Sequence, residues 1–101
     1  MTTNDFAAIQ SFLGGYFHED WELNASEPDH VILRFLSSGP SSEEIDKIVA
    51  QIDRYLRSGM NEATLERNLL KDLGCYYLPS ADAVSTSGWL NHVINVLEKY
   101  R

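Results

Sequence analysis

An imidazole and three carboxylates stand together at His18-Glu19-Asp20-Trp21-Glu22, a set that could bind a metal ion or move a proton. A metal site needs several ligands converging at fixed distances. His18 and Asp20 are two residues apart, a spacing that points them to different sides of a helix. His30 and His92 have no ligand of a recognised kind at i+3 or i+4, and the chain has neither a His-Glu-x-x-His motif nor a pair of cysteines. No metal or other cofactor is expected. Nucleophilic chemistry has as little behind it. There is no Gly-x-Ser-x-Gly and no glycine-rich phosphate loop. Cys75, between Leu73-Gly74 and Tyr76-Tyr77, has the apolar setting of a buried structural thiol. Carboxylates are plentiful, yet nothing singles out one pair as acid and base. The chain is not expected to be an enzyme.

Binding is the chemistry that remains. Tyr16, Phe17 and Trp21 lie inside or beside an acidic stretch. Rings flanked by carboxylates suit a protein interface, with the rings as anchors and the charges for steering. Phe17 and Trp21 are also four apart, as core residues of a helix would be, and His18 with Asp20 could be a hydrogen-bonded pair that fixes a loop.

The overall balance limits the partner. The chain has 101 residues, 44% apolar and 23% charged, which suits one globular domain over residues 1–101. Acids outnumber bases 15 to 8, for a formal charge of −7. Such a surface argues against direct nucleic-acid binding and against docking on anionic lipid. The excess is one-sided: residues 1–50 hold nine acids and two bases, whereas residues 51–101 hold six of each. One cysteine excludes an intrachain disulfide. Met1-Thr2-Thr3-Asn4-Asp5 has neither a basic start nor an apolar run, so no secretory leader is expected. No stretch reaches the length of a membrane span. A cytoplasmic location is the expectation.

The elements that position these groups read as helices. Phe6, Ile9, Leu13 and Phe17 step by three and four, with Thr3 or Asn4 as cap, Asp5 at the positive end, and Gly14-Gly15 as a weak point. Ser26-Glu27-Pro28-Asp29 signals a second start, with Ser26 as cap and Asp29 at the capping-box position. Val31, Ile32, Phe35 and Leu36 follow, and Ser37-Ser38-Gly39-Pro40 stops the helix. Ser41 and Glu44 open a third, whose face carries Ile45, Ile48, Val49, Ile52 and Leu56 before Gly59. A fourth runs from Asn61 through Leu65, Leu69, Leu70 and Leu73 to Gly74. Residues 75–84 read as a loop packed on the domain. A fifth helix starts near Ser85 or Ser87 and buries Trp89, Leu90, Val93, Ile94 and Leu97, with Tyr100 extending it. No strand-like alternation occurs. The expected fold is all-α, one compact bundle of about five helices.

Tyr16-Phe17-His18-Glu19-Asp20-Trp21 resembles the Tyr-Phe-His-Gln-Asp-Trp signature of the CdiI-type immunity proteins of bacterial contact-dependent growth inhibition systems. Leu73-Gly74-Cys75-Tyr76-Tyr77 and Gly88-Trp89-Leu90 are similar to that family at comparable positions, so the resemblance runs from about Phe6 to about Leu97. Glu19 stands where the signature has glutamine and adds a charge. The resemblance implies an antidote that binds the toxic C-terminal domain of a large exported effector. Many such toxins are nucleases with basic grooves, which an acidic antidote would cover. The expected partner is therefore a basic cognate toxin domain in a 1:1 complex, the free chain being a monomer or weak dimer. Tyr16, His18, Glu19, Asp20, Trp21, Glu22, Glu27 and Asp29 are the candidate contact residues. The rival reading is an acidic helical adaptor, or nucleic-acid mimic, for another basic protein.

Overall fold

The computed structural model describes residues 6–23 and 27–100. Its five helices are α1 (Ala7–Tyr16), α2 (Pro28–Ser37), α3 (Ser42–Leu56), α4 (Glu62–Lys71) and α5 (Thr86–Lys99). Single 3-10 turns lie at Trp21–Leu23 and Pro79–Asp82, and no strand occurs among the described residues. The all-α bundle of the sequence reading is the observed fold.

Three of the starts follow from capping chemistry. Ser41 Oγ accepts the Glu44 N–H at 3.1 Å, Asn61 Oδ1 accepts that of Thr64 at 2.9 Å, and Ser85 Oγ accepts that of Gly88 at 3.0 Å. Each satisfies a donor that the first helical turn leaves unpaired. The start of α5 has a second support. The Glu62 carboxylate accepts the N–H of Thr86 at 3.0 Å and also bonds the Ser87 hydroxyl. A negative charge is favoured there by the helix dipole.

The first two starts differ from expectation. Phe6 occupies the cap position of α1 without a side-chain bond. Thr3, Asn4 and Asp5 lie outside the described residues. Glu27, in extended conformation, caps α2, because Pro28 fits the first helical turn, where its missing N–H costs nothing. Ser26 lies outside the described residues. Asp29 therefore misses the capping-box position, and its carboxylate reaches across to His92.

Helix α1 continues through Gly14-Gly15 to Tyr16. Packing overrides the poor propensity. Gly74 adopts φ +70°, and a Cβ there would stand 3.3 Å from Gly14 Cα. The two glycines let α1 meet the turn after α4 backbone against backbone. That turn is closed by the N–H groups of Gly74 and Cys75, which donate to Leu70 and Leu69.

Helix α5 is the centre of the bundle. It packs on α2, α3, α4 and the 79–82 turn, while α1 packs on α2 and α3. Trp89, Leu90, Val93 and Leu97 are buried on it, as their spacing predicts. The Tyr55 hydroxyl donates to Leu65 O at 2.7 Å and ties α3 to α4. Leu70 and Tyr100, expected in the apolar stripes, are instead exposed. The radius of gyration is 12.8 Å, about that of a compact domain of this length.

The segment after α4 packs down, as expected. Cys75, Tyr77 and Pro79 are buried in it. The Cys75 thiol donates to Tyr77 O at 3.5 Å, and burial pushes its pKa from 9.0 up to about 12. Burial, followed by the charges of Asp72 and Cys75, pushes Tyr55 from 10.0 up to about 12. In both groups the unfolded chain gives up its proton first as pH rises. Their stabilising contribution is thus complete below pH 9 and is lost as pH climbs toward 12. The urea midpoint should fall between pH 8 and about pH 11. An unchanged midpoint would mean that these groups ionise as freely in the folded state.

Candidate partner-binding face

The motif at 16–21 divides into an inner and an outer part. Phe17 is fully buried and Trp21 shows only 9% of its surface. Glu19, Asp20 and Glu22 are exposed, and His18 is half-buried. The loop between the rings is held by backbone bonds. His18 Nδ1 accepts the Asp20 N–H at 3.0 Å, and His18 O accepts that of Trp21 at 3.0 Å. His18 and Asp20 are thus a hydrogen-bonded pair, made through the Asp20 backbone. This leaves the Asp20 carboxylate free to face a partner.

Phe17 explains why three distant motifs occur in one chain. Its ring meets Trp89 edge-on at 5.3 Å, Trp21 at 6.0 Å and Tyr77 at 6.2 Å. Its carbonyl accepts the Tyr76 N–H at 2.7 Å. The residues at 16–21, 73–77 and 88–90 therefore build one aromatic junction. Most of what these motifs encode is fold. Tyr16 stands apart from it, packed on Phe35 at 5.3 Å and lining a separate cleft of about 390 Å³ with Ser11 and Glu44.

Above the junction lies a cleft of about 470 Å³ between the start of α2, the 79–82 turn and α5. Glu27, Asp29, Asp82 and His92 line it, together with Tyr77 and Trp89. His92 Nε2 lies 2.9 and 3.1 Å from the two oxygens of Asp29. The Tyr77 hydroxyl donates to Asp82 Oδ2 at 2.8 Å. Burial first, and then this carboxylate, raise the Tyr77 pKa, so the hydroxyl stays protonated as a donor. A second groove of about 380 Å³ shares Pro28, Tyr77 and Asp82 with the first and adds Trp21, Glu22, Tyr76 and Leu78. Apolar side chains are exposed along the same surface. Tyr76 is 51% and Leu78 41% exposed, Val84 borders the first cleft, and Leu23 beside Glu22 is 81% exposed.

Of the contact candidates named from the sequence, Trp21, Glu22, Glu27 and Asp29 line this cleft and groove, and Tyr76, Leu78, Asp82, Val84 and His92, which were not among those candidates, line them too. Asp82 comes from the half of the chain with no net charge, so charge counting along the sequence passed over it. Of these added residues only Tyr76 lies within a motif that the sequence singled out, Leu73–Tyr77. Among the described residues, no group of three or more His, Cys, Asp or Glu could hold a metal ion. No helix among them is long and apolar enough to cross a membrane.

A chain from the crystal structure of a CdiA-CT/CdiI complex from Y. kristensenii 33638 has a similar structure. It aligns with a TM-score of 0.83 at 23% identity, covering 93% of this chain and 99% of that one. At that identity the likeness establishes the fold. No curated protein matches the sequence. The model of the CdiI immunity protein family matches residues 5–97, the span that contains all three motifs and both clefts. The chain belongs to the CdiI immunity protein family.

Proposed function

We propose that this chain neutralises the C-terminal toxin domain of a contact-dependent growth inhibition effector by binding it in a 1:1 complex. The observation that carries the reading is the family match over residues 5–97. The exposed acidic and apolar surface supports it. The toxin domain is basic and is a nuclease, whose groove the antidote covers. No catalysis by the antidote and no cofactor is needed, since occupying the groove is enough. The cytoplasm is where such protection acts.

Glu22, Glu27 and Asp29 contact the toxin from the cleft walls, and His18, Glu19 and Asp20 do so from the adjoining loop. Exposed carboxylates raise the rate at which a basic partner arrives. Trp21 contributes the small part of its ring that lines the groove, and Tyr16 the part that lines its own cleft.

Co-expression with the C-terminal domain of the effector encoded immediately upstream tests the reading. Survival of the cells and co-purification at one to one are expected. If that domain kills despite this chain and never co-purifies, the acidic adaptor becomes the working idea.

A further inference from the structure

The cleft between α2 and α5 has the chemistry of a socket for one particular side chain. Two aromatic side chains line it, Tyr77 and Trp89, with ring centres 4.9 Å apart. Asp29 and Asp82 line it too, and each is already oriented by one hydrogen bond, from His92 and Tyr77 respectively. Among the described residues, no lysine or arginine lines this cleft or the adjoining groove. Trp89 adds a second mark. It is 3% exposed, and its indole Nε1–H has no hydrogen-bond acceptor among the described residues. Buried donors nearly always have one.

We infer that this cleft receives an arginine side chain from the toxin domain, an inference that rests on the toxin-neutralising reading above. A guanidinium is flat, stacks on aromatic rings and carries five donors in a rigid fork. It can reach the small exposed edges of Tyr77 and Trp89 while donating in two fixed directions to Asp29 and Asp82, which an ammonium cannot match. The exposed Val84, Tyr76 and Leu78 cover the segment on either side of the arginine. Desolvated contacts of this kind govern how long a complex lasts, whereas the outer carboxylates govern how fast it forms.

The test measures binding of the purified upstream-encoded toxin domain to the wild-type chain and three variants. D29N/D82N removes both charges and keeps acceptors for His92 and Tyr77. V84R sets a cation at the exposed rim and leaves the carboxylates intact. E43Q/D53N removes two charges from α3, outside the cleft. The expected result is a Kd raised about 30-fold or more for D29N/D82N and for V84R, mainly through faster dissociation. E43Q/D53N should stay within about threefold. Arginine-to-lysine scanning of the toxin domain should then find one position whose effect is not additive with D29N/D82N. If wild type binds and both cleft variants bind within threefold of it, or if no such arginine exists, the socket is wrong while the neutralising function stands. If wild type itself binds no toxin, the functional reading fails first and the socket with it.

Discussion

Phe17→Ala will lower the unfolding free energy by about 3–5 kcal/mol, the range for removing a buried aromatic ring. Phe17 has no exposed surface and touches the rings of Phe12, Trp21, Tyr77 and Trp89. These neighbours come from α1, the 21–23 turn, the 75–78 segment and α5, so they have few ways to close the void together. The Phe17 carbonyl also holds the Tyr76 N–H, and a loosened α1 end would strain that link. Phe17→Leu should cost less, because it keeps most of the volume. Urea unfolding followed by tryptophan fluorescence is the measurement, since Trp21 and Trp89 both report on this junction. A loss below about 1 kcal/mol would show that the ring is not the keystone that its contacts imply.

The second large effect concerns association. Asp20→Lys with Glu22→Lys should slow toxin binding about tenfold or more at low salt and flatten its salt dependence. Both side chains are exposed, and the Asp20 bond to His18 is made by the backbone. Fold stability should therefore change little. The signature is a lower association rate with a nearly unchanged dissociation rate, the reverse of what the arginine socket predicts for D29N/D82N. Stopped-flow mixing at two salt concentrations separates them. If the association rate of the reversed variant keeps its full salt dependence, the toxin approaches another face of the molecule.

The two experiments divide the Tyr-Phe-His-Glu-Asp-Trp motif according to where its side chains lie. Phe17 and Trp21 serve mainly the core, and the intervening acids face solvent. A contiguous signature thus mixes a folding determinant with a candidate contact surface. Substitution of the whole motif would confound the two.

The sequence by itself determined the helices, because their signals are local. Ser41, Asn61 and Ser85 cap through atoms three residues away, and the stripe on α5 follows from its 3.6-residue period. It also showed the charge balance, the buried character of Cys75 and the family resemblance. Two boundaries were not settled by it. Gly14-Gly15 marks a weak point that leaves the end of α1 open until Gly74 is seen beside it, and the cap of α2 depended on where Pro28 settled. Only the tertiary structure decided which acids share a cleft. Asp29 and Asp82 are 53 residues apart, yet both line one cleft because α5 brings the 79–82 turn and the start of α2 to a common side. That convergence is set by packing between helices, which no spacing along the chain encodes. The helices follow from neighbours in sequence, and the candidate binding face from neighbours in space.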